Sequence, residues 1–151
     1  MRLSSLLHKR ANDSATREVE KTEDEWRSQL GADRFQVLRR KGTEPPFIGR
    51  YVHAETDGTY HCAGCDAPLF DTSAQFDSGT GWPSFTEPFG EAAVELRRDH
   101  GLGIARTEVV CRRCGGHLGH VFDDGPRPTG QRYCINSACL DLQSHKERNR
   151  A

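Results

Sequence analysis

Two Cys-x-x-Cys units are the feature that most restricts how this chain can fold. The first runs from Cys62 to Cys65 and the second from Cys111 to Cys114, and 45 residues separate the two units. A two-residue gap lets both thiolates of a unit point to one centre, and four thiolates match the tetrahedral preference of zinc. We therefore predict one structural zinc ion per chain, held between the tips of two hairpins that the metal clips together.

Disulfides and a redox-active dithiol are the alternatives to a metal site. A cytosolic chain keeps its cysteines reduced, and residues 1–20 contain no apolar segment of secretory type. A redox-active Cys-x-x-Cys is expected in a βαβ context, which the sequence does not show. Because four thiolates fill the coordination sphere of the ion, the site is expected to stabilise the fold rather than to catalyse a reaction.

The length of 151 residues is that of one domain. Residues 1–20 are predicted to be a disordered extension, residues 21–142 the domain, and residues 143–151 a polar tail. No run approaches the roughly 18 apolar residues of a membrane span, and the formal net charge of -1 argues against nucleic-acid binding. We expect a cytoplasmic protein, because Asp13 and Glu18 weaken the likeness of the first residues to an organellar transit peptide.

The turn pattern predicts two short helices followed by an antiparallel β domain of short strands. Thr22 and Glu25 form a capping box at the start of the first helix, and Gly31 is placed to end it. Asp33 is expected to cap the second helix, which Gly42 closes. Beyond the helices, short alternating runs are separated by turn signals. The predicted strands lie within residues 59–62, 93–96, 103–110, 118–122 and 131–136.

A single cysteine outside the paired units carries the sharpest chemical signal. In a strand, alternate side chains share a face, so Arg132, Cys134 and Asn136 are expected to form one polar face. Tyr133 and Ile135 then point to the core. A guanidinium two residues from a thiol favours the thiolate, which is the reactive form of cysteine. The alternative, a buried and inert cysteine, fits less well with polar neighbours on the same face.

Two histidines and a tryptophan complete the set of candidate residues. His117 and His120 follow directly after the second Cys-x-x-Cys unit. Because the cysteines already fill the metal site, these imidazoles are expected to form hydrogen bonds and transfer protons. Trp82 stands between Gly81 and Pro83. It is either a core residue or the wall of a pocket for a small apolar or sulfur-containing group.

Four motifs follow one another along residues 21–142: Cys-x-x-Cys, Gly-Trp-Pro-Ser-Phe, Cys-x-x-Cys-Gly-Gly-His-Leu-Gly-His-Val-Phe-Asp and Arg-Tyr-Cys-Ile-Asn-Ser. In this order they closely resemble the methionine-R-sulfoxide reductase B family. The resemblance implies a mainly β fold, with two antiparallel sheets of short strands and the N-terminal helices packed on them. It also implies reduction of methionine sulfoxide in oxidised proteins, with thioredoxin as the reductant, and we expect a monomer.

The resemblance implies a role for each candidate residue. Cys134 is the nucleophile that attacks the sulfoxide sulfur and is left as a sulfenic acid, and Trp82 packs against the S-methyl group. Arg132 supports the thiolate. The side chains that orient the sulfoxide and help to protonate its oxygen are His117, His120 and Asn136.

The chain departs from the family pattern in its spare cysteines. Many relatives carry a resolving cysteine at the position of Thr80, and Cys139 is an extra cysteine here. An extended segment from Cys134 to Cys139 would separate the two Cα atoms by roughly 16 Å, and a disulfide needs about 7 Å or less. We therefore expect Cys139 to pack as a small apolar residue. The sulfenic acid is then reduced directly by thioredoxin or a small thiol.

Two other functions fit parts of the sequence. A zinc-ribbon module for nucleic acid or protein would use Arg112, Arg113 and Arg132, but it leaves Cys134 and its same-face partners unexplained. A zinc-dependent hydrolase that uses the histidine pair would need an open metal position, which four cysteines close.

Overall fold

The computed structural model describes residues 17–103 and 105–146, which form two α-helices followed by two antiparallel β-sheets. The part of the predicted extension before residue 17 and the part of the predicted tail after residue 146 lie outside the described residues. Within the described residues, no helix is long and apolar enough to cross a membrane.

The first helix, α1, spans Glu23–Leu30 and begins at the predicted capping box. The Glu25 N–H donates to the Thr22 hydroxyl at 3.1 Å, and the Glu25 carboxylate accepts the Thr22 N–H at 2.9 Å. Trp26 is the buried residue of this helix. Gly31, with φ of 81°, ends the helix as predicted, because glycine adopts positive φ without a steric penalty.

The second helix, α2, spans Ala32–Arg40 and follows after a single residue. The expectation that Asp33 caps this helix is wrong, because Gly31 already occupies the N-cap and Asp33 lies in the first turn. Lys41 takes the left-handed conformation at the C-terminus, and the N–H of Gly42 donates to the carbonyl of residue 36 at 2.9 Å. The helix therefore ends at Arg40, two residues before the predicted glycine, with Lys41 as its C-cap.

Within residues 17–103 and 105–146, nine strands form the two sheets. They are β1 Gly58–Cys62, β2 Pro68–Asp71, β3 Gln75–Phe76, β4 Ser84–Phe85, β5 Val94–Asp99, β6 Arg106–Cys111, β7 His117–Phe122, β8 Arg132–Ile135 and β9 Leu140–Ser144. The first sheet has the order β2-β1-β9 and the second has the order β3-β4-β8-β7-β6-β5. This architecture confirms the predicted fold of two antiparallel sheets of short strands with N-terminal helices.

Four of the strands, β2, β3, β4 and β9, lie outside the segments predicted from the sequence. Strands β3 and β4 have two residues each, too few to show an alternating pattern. Strand β9 pairs along β1 and reaches Ser144, two residues beyond the predicted domain boundary. Pairing with another strand, rather than a local sequence pattern, defines these elements.

An aromatic cluster between the sheets forms the centre of the core. Phe85 of the second sheet stacks on Phe70 of the first, with ring centroids 4.4 Å apart, and meets the edge of Tyr60 at 5.4 Å. Tyr133, which lies directly opposite Phe85 in the β4–β8 pair, also packs on Phe70, with ring centroids 5.9 Å apart. Tyr133 and Ile135 are both buried, which confirms that these two residues of β8 point to the core.

We predict that Phe85→Ala lowers the free energy of unfolding by about 3–5 kcal/mol, because it removes a fully buried ring and leaves a cavity between the sheets. The measurement is urea-induced unfolding followed by circular dichroism. Phe89→Ala serves as the matched control, since Phe89 is 44% exposed, and should change stability by no more than about 0.5 kcal/mol. Equal effects of the two substitutions would contradict the assigned core.

Candidate functional site

The four cysteines of the paired units come together in one cluster, with all four Sγ atoms within 4.8 Å of one another. The Sγ atoms of Cys62 and Cys114 are 3.8 Å apart, and those of Cys65 and Cys111 are 3.6 Å apart. A tetrahedral ion with Zn–S bonds of about 2.3 Å requires sulfur–sulfur distances of about 3.8 Å. The sulfur positions therefore fit a single zinc ion.

Each unit lies at the tip of a hairpin, as predicted from the sequence. The first unit joins β1 to β2 in the three-stranded sheet, and the second joins β6 to β7 in the six-stranded sheet. Glycine is required beside the sulfurs, because a Cβ at Gly116 would lie 2.8 Å from the Leu38 side chain and 3.4 Å from Cys114 Sγ. The Gly64 N–H donates to Cys62 Sγ at 3.3 Å. The cluster thus connects the two sheets.

A pocket of about 340 Å³ opens on the face of the second sheet that carries the alternate residues of β8. Among the residues that line it are five that the sequence singled out: Trp82, His120, Arg132, Cys134 and Asn136. His117, the sixth candidate, does not belong to the lining and is only 3% exposed. The structure therefore brings five of the six candidates to one cavity.

Strand pairing places the candidate thiol beside a candidate imidazole. Cys134 on β8 lies directly opposite His120 on β7 in the antiparallel register. Directly opposed residues share a face and have Cβ atoms about 4.5–5.5 Å apart. The predicted strand through Asn136 stops at Ile135, however, and Asn136 begins a 3₁₀ turn, Ser137–Cys139.

A carboxylate anchors each histidine. The Nε2–H of His120 donates to Oδ2 of Asp99 at 2.8 Å, and Nδ1 of His117 donates to Oε2 of Glu108 at 2.7 Å. The two imidazole rings are 5.5 Å apart. Lys41 Nζ lies 3.8 Å from Asp99 and 3.5 Å from Glu108, so one cation faces both acids.

Burial controls the protonation of His120. It lowers the pKa of the imidazole, and the hydrogen bond to Asp99 opposes this effect only in part. The hydrogen bond from His120 holds the pKa of Asp99 well below its usual range, so this carboxyl group is ionised. At neutral pH the imidazole is therefore neutral, with its proton on Nε2 and a free electron pair on Nδ1.

Burial also has the largest effect on the Cys134 thiol, and it raises the pKa. The Arg132 guanidinium and a hydrogen bond with Thr80 act in the opposite direction. Arg132 is itself held by a two-pronged ion pair with Asp124, at 2.8 and 3.2 Å, and lies over the ring of Phe122 at 4.5 Å. Arg132 thus lowers the pKa of Cys134, as its position suggests, but burial outweighs it.

Glu44, which the sequence did not single out, binds two walls of the pocket through its main chain. The Nε1–H of Trp82 donates to the carbonyl of Glu44 at 2.9 Å. The Oδ1 of Asn136 accepts the N–H of Glu44 at 3.0 Å, and its Nδ2 donates to the carbonyl of Leu118 at 3.0 Å. The two candidate walls of the pocket are thus held by main-chain groups.

Asp99 and Glu108 were also missed by sequence reasoning. Glu108 carries a local signal, because it is an acidic residue in a run of four buried residues, 108–111. Asp99 carries none, because it looks like an ordinary turn residue before His100 and Gly101. Its role depends on the pairing of β5 with β6 and of β6 with β7.

Cys139 is fully buried, and its Sγ donates to the carbonyl of His117 at 3.1 Å. It does not line the pocket that contains Cys134. Residues 134–139 are not extended throughout, because the chain turns into the 3₁₀ segment Ser137–Cys139 after β8 ends, so the separation calculated for an extended segment does not apply. The packing of Cys139 as a small buried residue agrees with the expectation.

Comparison with known proteins identifies the family. The SelR domain matches residues 30–144. The protein named peptide methionine sulfoxide reductase MsrB from Pseudomonas fluorescens strain Pf-5 is 60% identical over 124 residues, which cover 82% of this chain and 95% of that protein. The protein of the same name from Pseudomonas entomophila is 59% identical over 125 residues, which cover 83% of this chain and 95% of that protein. Together with these reductases, the chain belongs to the SelR domain family.

Proposed function

We propose that this protein reduces methionine-R-sulfoxide in oxidised proteins to methionine, with thioredoxin as the electron donor. The observation that carries the proposal is the pocket in which Cys134, His120 and Trp82 meet. A thiol, an imidazole and an aromatic wall are the groups needed to reduce and bind a sulfoxide next to a methyl group. Membership of the SelR domain family supports the same reaction.

The chemical step transfers one oxygen atom and two electrons. The Cys134 thiolate attacks the sulfoxide sulfur and forms a sulfur–sulfur bond, while the sulfoxide oxygen is protonated. The oxygen then passes to the cysteine sulfur as the sulfur–sulfur bond and the methionine sulfur–oxygen bond break, and methionine leaves. The oxygen remains on Cys134 as a sulfenic acid. The methionine sulfur is reduced by two electrons, and the cysteine sulfur is oxidised by two.

His120 first accepts and then donates the proton that moves in this step. At rest the thiol and the imidazole are both neutral, so Nδ1 of His120 can accept the proton of Cys134. The ionised Asp99 stabilises the imidazolium that forms. The imidazolium then donates the proton to the sulfoxide oxygen, so the overall step needs no proton from outside the pocket.

The remaining candidates position the substrate and the reacting groups. Trp82 packs against the S-methyl group, and Asn136 and Arg132 line the same cavity. His117 supports His120 through their ring contact and through the acids that anchor both histidines. His117 itself lies outside the pocket lining, so its proposed effect on the sulfoxide passes through His120.

The four-cysteine cluster would hold a zinc ion that has no part in the reaction. Its sulfur distances fit a tetrahedral ion, and four thiolates leave no position open for substrate. When bound, the ion supplies a cross-link between the two sheets.

The experiment that tests the proposed function compares the two sulfoxide epimers. We expect the R epimer of a peptide methionine sulfoxide to be reduced with thioredoxin or dithiothreitol and the S epimer to remain unchanged, as measured by chiral chromatography. Cys134→Ser should abolish turnover, because serine cannot form the sulfenic acid. Cys139→Ser is the matched control and should remain active. Similar rates for the two epimers, or an active Cys134→Ser, would refute the proposal.

For the metal, we predict one zinc ion per chain by elemental analysis. Zinc binding in finger peptides is worth about 10–16 kcal/mol, as much as or more than the net stability of a domain. Cys62→Ser should therefore lower the melting temperature sharply and reduce the zinc content. Cys134→Ser, the same change outside the cluster, should retain the zinc. A zinc-free protein of full thermal stability would contradict the assignment.

For recycling, we predict that the sulfenic acid of Cys134 is reduced directly by thioredoxin or a small thiol. Thr80 cannot form a disulfide, and the buried sulfur of Cys139 is turned to the His117 carbonyl. One equivalent of substrate without reductant should yield a sulfenic acid on Cys134 that dimedone traps, with Cys139 free by mass spectrometry. The thioredoxin-driven rate of Cys139→Ser should match that of the parent. A stoichiometric disulfide between Cys134 and Cys139 would be the opposite outcome.

A further inference from the structure

Glu44 receives hydrogen bonds from the segment that follows the strand of Cys134. Its Oε2 accepts the N–H of Ser137 at 2.8 Å, and its Oε1 accepts the N–H of Ala138 at 2.9 Å. These two N–H groups begin the 3₁₀ turn directly after Asn136. The carboxylate therefore sets the direction of the chain where it leaves the pocket.

The main chain of Glu44 binds both polar walls of the pocket. Its N–H donates to Oδ1 of Asn136 at 3.0 Å, and its carbonyl accepts the Nε1–H of Trp82 at 2.9 Å. The indole has no other polar atom, so this bond is the one polar restraint its ring can form. One residue thus sets the positions of an aromatic wall and an amide wall, although it does not line the pocket itself.

The surroundings of Glu44 suit a carboxylate specifically. Each of the two N–H donors is bound by a different oxygen of the carboxylate, whereas an amide in the same place would offer one oxygen and one donor group. Gly49 leaves the space for the carboxylate, because a Cβ there would lie 2.4 Å from Oε2 of Glu44 and 2.3 Å from Oγ of Ser137. The negative charge is also felt by Cys134, where it raises the pKa of the thiol as a lesser contribution beside burial.

We propose that Glu44 is the positioning residue of this pocket, which fixes Trp82 and Asn136 relative to Cys134 by tying the loop of residue 44 to the end of β8. The kinetic part of this inference rests on the proposed sulfoxide reduction. The geometric part stands on the four hydrogen bonds and is measured without substrate.

The first test uses the indole N–H of Trp82 as a reporter. The chain has two tryptophans, so two indole signals appear in a ¹H–¹⁵N spectrum, and Trp82→Phe assigns them. Glu44→Gln should shift or broaden the Trp82 signal, because the carbonyl that accepts this proton is no longer held in place. The Trp26 signal should remain. Glu91→Gln, the same change at an exposed acid outside the pocket, should leave both signals unchanged.

The second test separates the effect of the charge of Glu44 from the effect of the length of its side chain. Glu44→Gln and Glu44→Asp should each lower kcat/KM by about 10- to 100-fold, the value of one hydrogen bond to a charged group. The pH profile of Cys134 alkylation by iodoacetamide should move to lower pH in Glu44→Gln, because a negative charge is lost. Glu44→Asp keeps the charge but cannot reach both N–H groups, so its alkylation profile should stay near that of the parent.

An unchanged Trp82 signal in a folded Glu44→Gln, or full activity in that variant, would overturn the inference. If Glu44→Gln does not fold, as judged by melting temperature, the Trp82 signal of Glu44→Asp decides in its place. If the parent protein shows no sulfoxide reduction, the proposed function fails. The indole signal and the alkylation profile then decide the positioning role by themselves, with a shift supporting it and no shift refuting it.

Discussion

The structure depends on the four-sulfur cluster that joins the two sheets. Each sheet contributes one hairpin tip, and the four Sγ atoms lie within 4.8 Å of one another. Strand β7 begins at His117, three residues after Cys114, so the cluster also fixes where this strand enters the sheet. His120 then faces Cys134 across the β7–β8 pair. The four-cysteine cluster thus lies at the start of the strand that carries His120, outside the pocket itself.

Burial shapes the chemistry of the pocket more than any single charge. It raises the pKa of the Cys134 thiol and lowers that of the His120 imidazole, so both groups rest in their neutral forms. Charged groups stand close by, with Arg132 beside the thiol and Asp99 beside the imidazole. A buried site with fixed opposite charges favours a transient ion pair that forms only when the proton moves. The Cys134 thiol therefore carries the proton that the proposed reaction needs.

Some features could be predicted from the sequence because they depend on residues that are close along the chain. The spacing within each Cys-x-x-Cys unit predicted the hairpin tips, and the capping box of Thr22 and Glu25 predicted the start of α1. Alternation along β8 predicted that Arg132 and Cys134 share a face and that Tyr133 does not. The sequence did not decide whether Trp82 lies in the core or in the wall of a pocket, since its neighbours in sequence suit either place.

Other features were decided only by the tertiary structure. Asp99, Glu108 and Glu44 reach the site through contacts with residues at least nine positions away, and no local period marks them as partners. In the tertiary structure, His117 also lies outside the pocket lining, and the chain turns before Cys139. The sequence by itself determined the metal-binding tips, the nucleophile candidate and the face on which it lies. Strand register decided which acids hold the histidines, and the path of the loop after α2 decided which residue holds the pocket walls, because only the folded chain brings these distant groups within hydrogen-bonding distance.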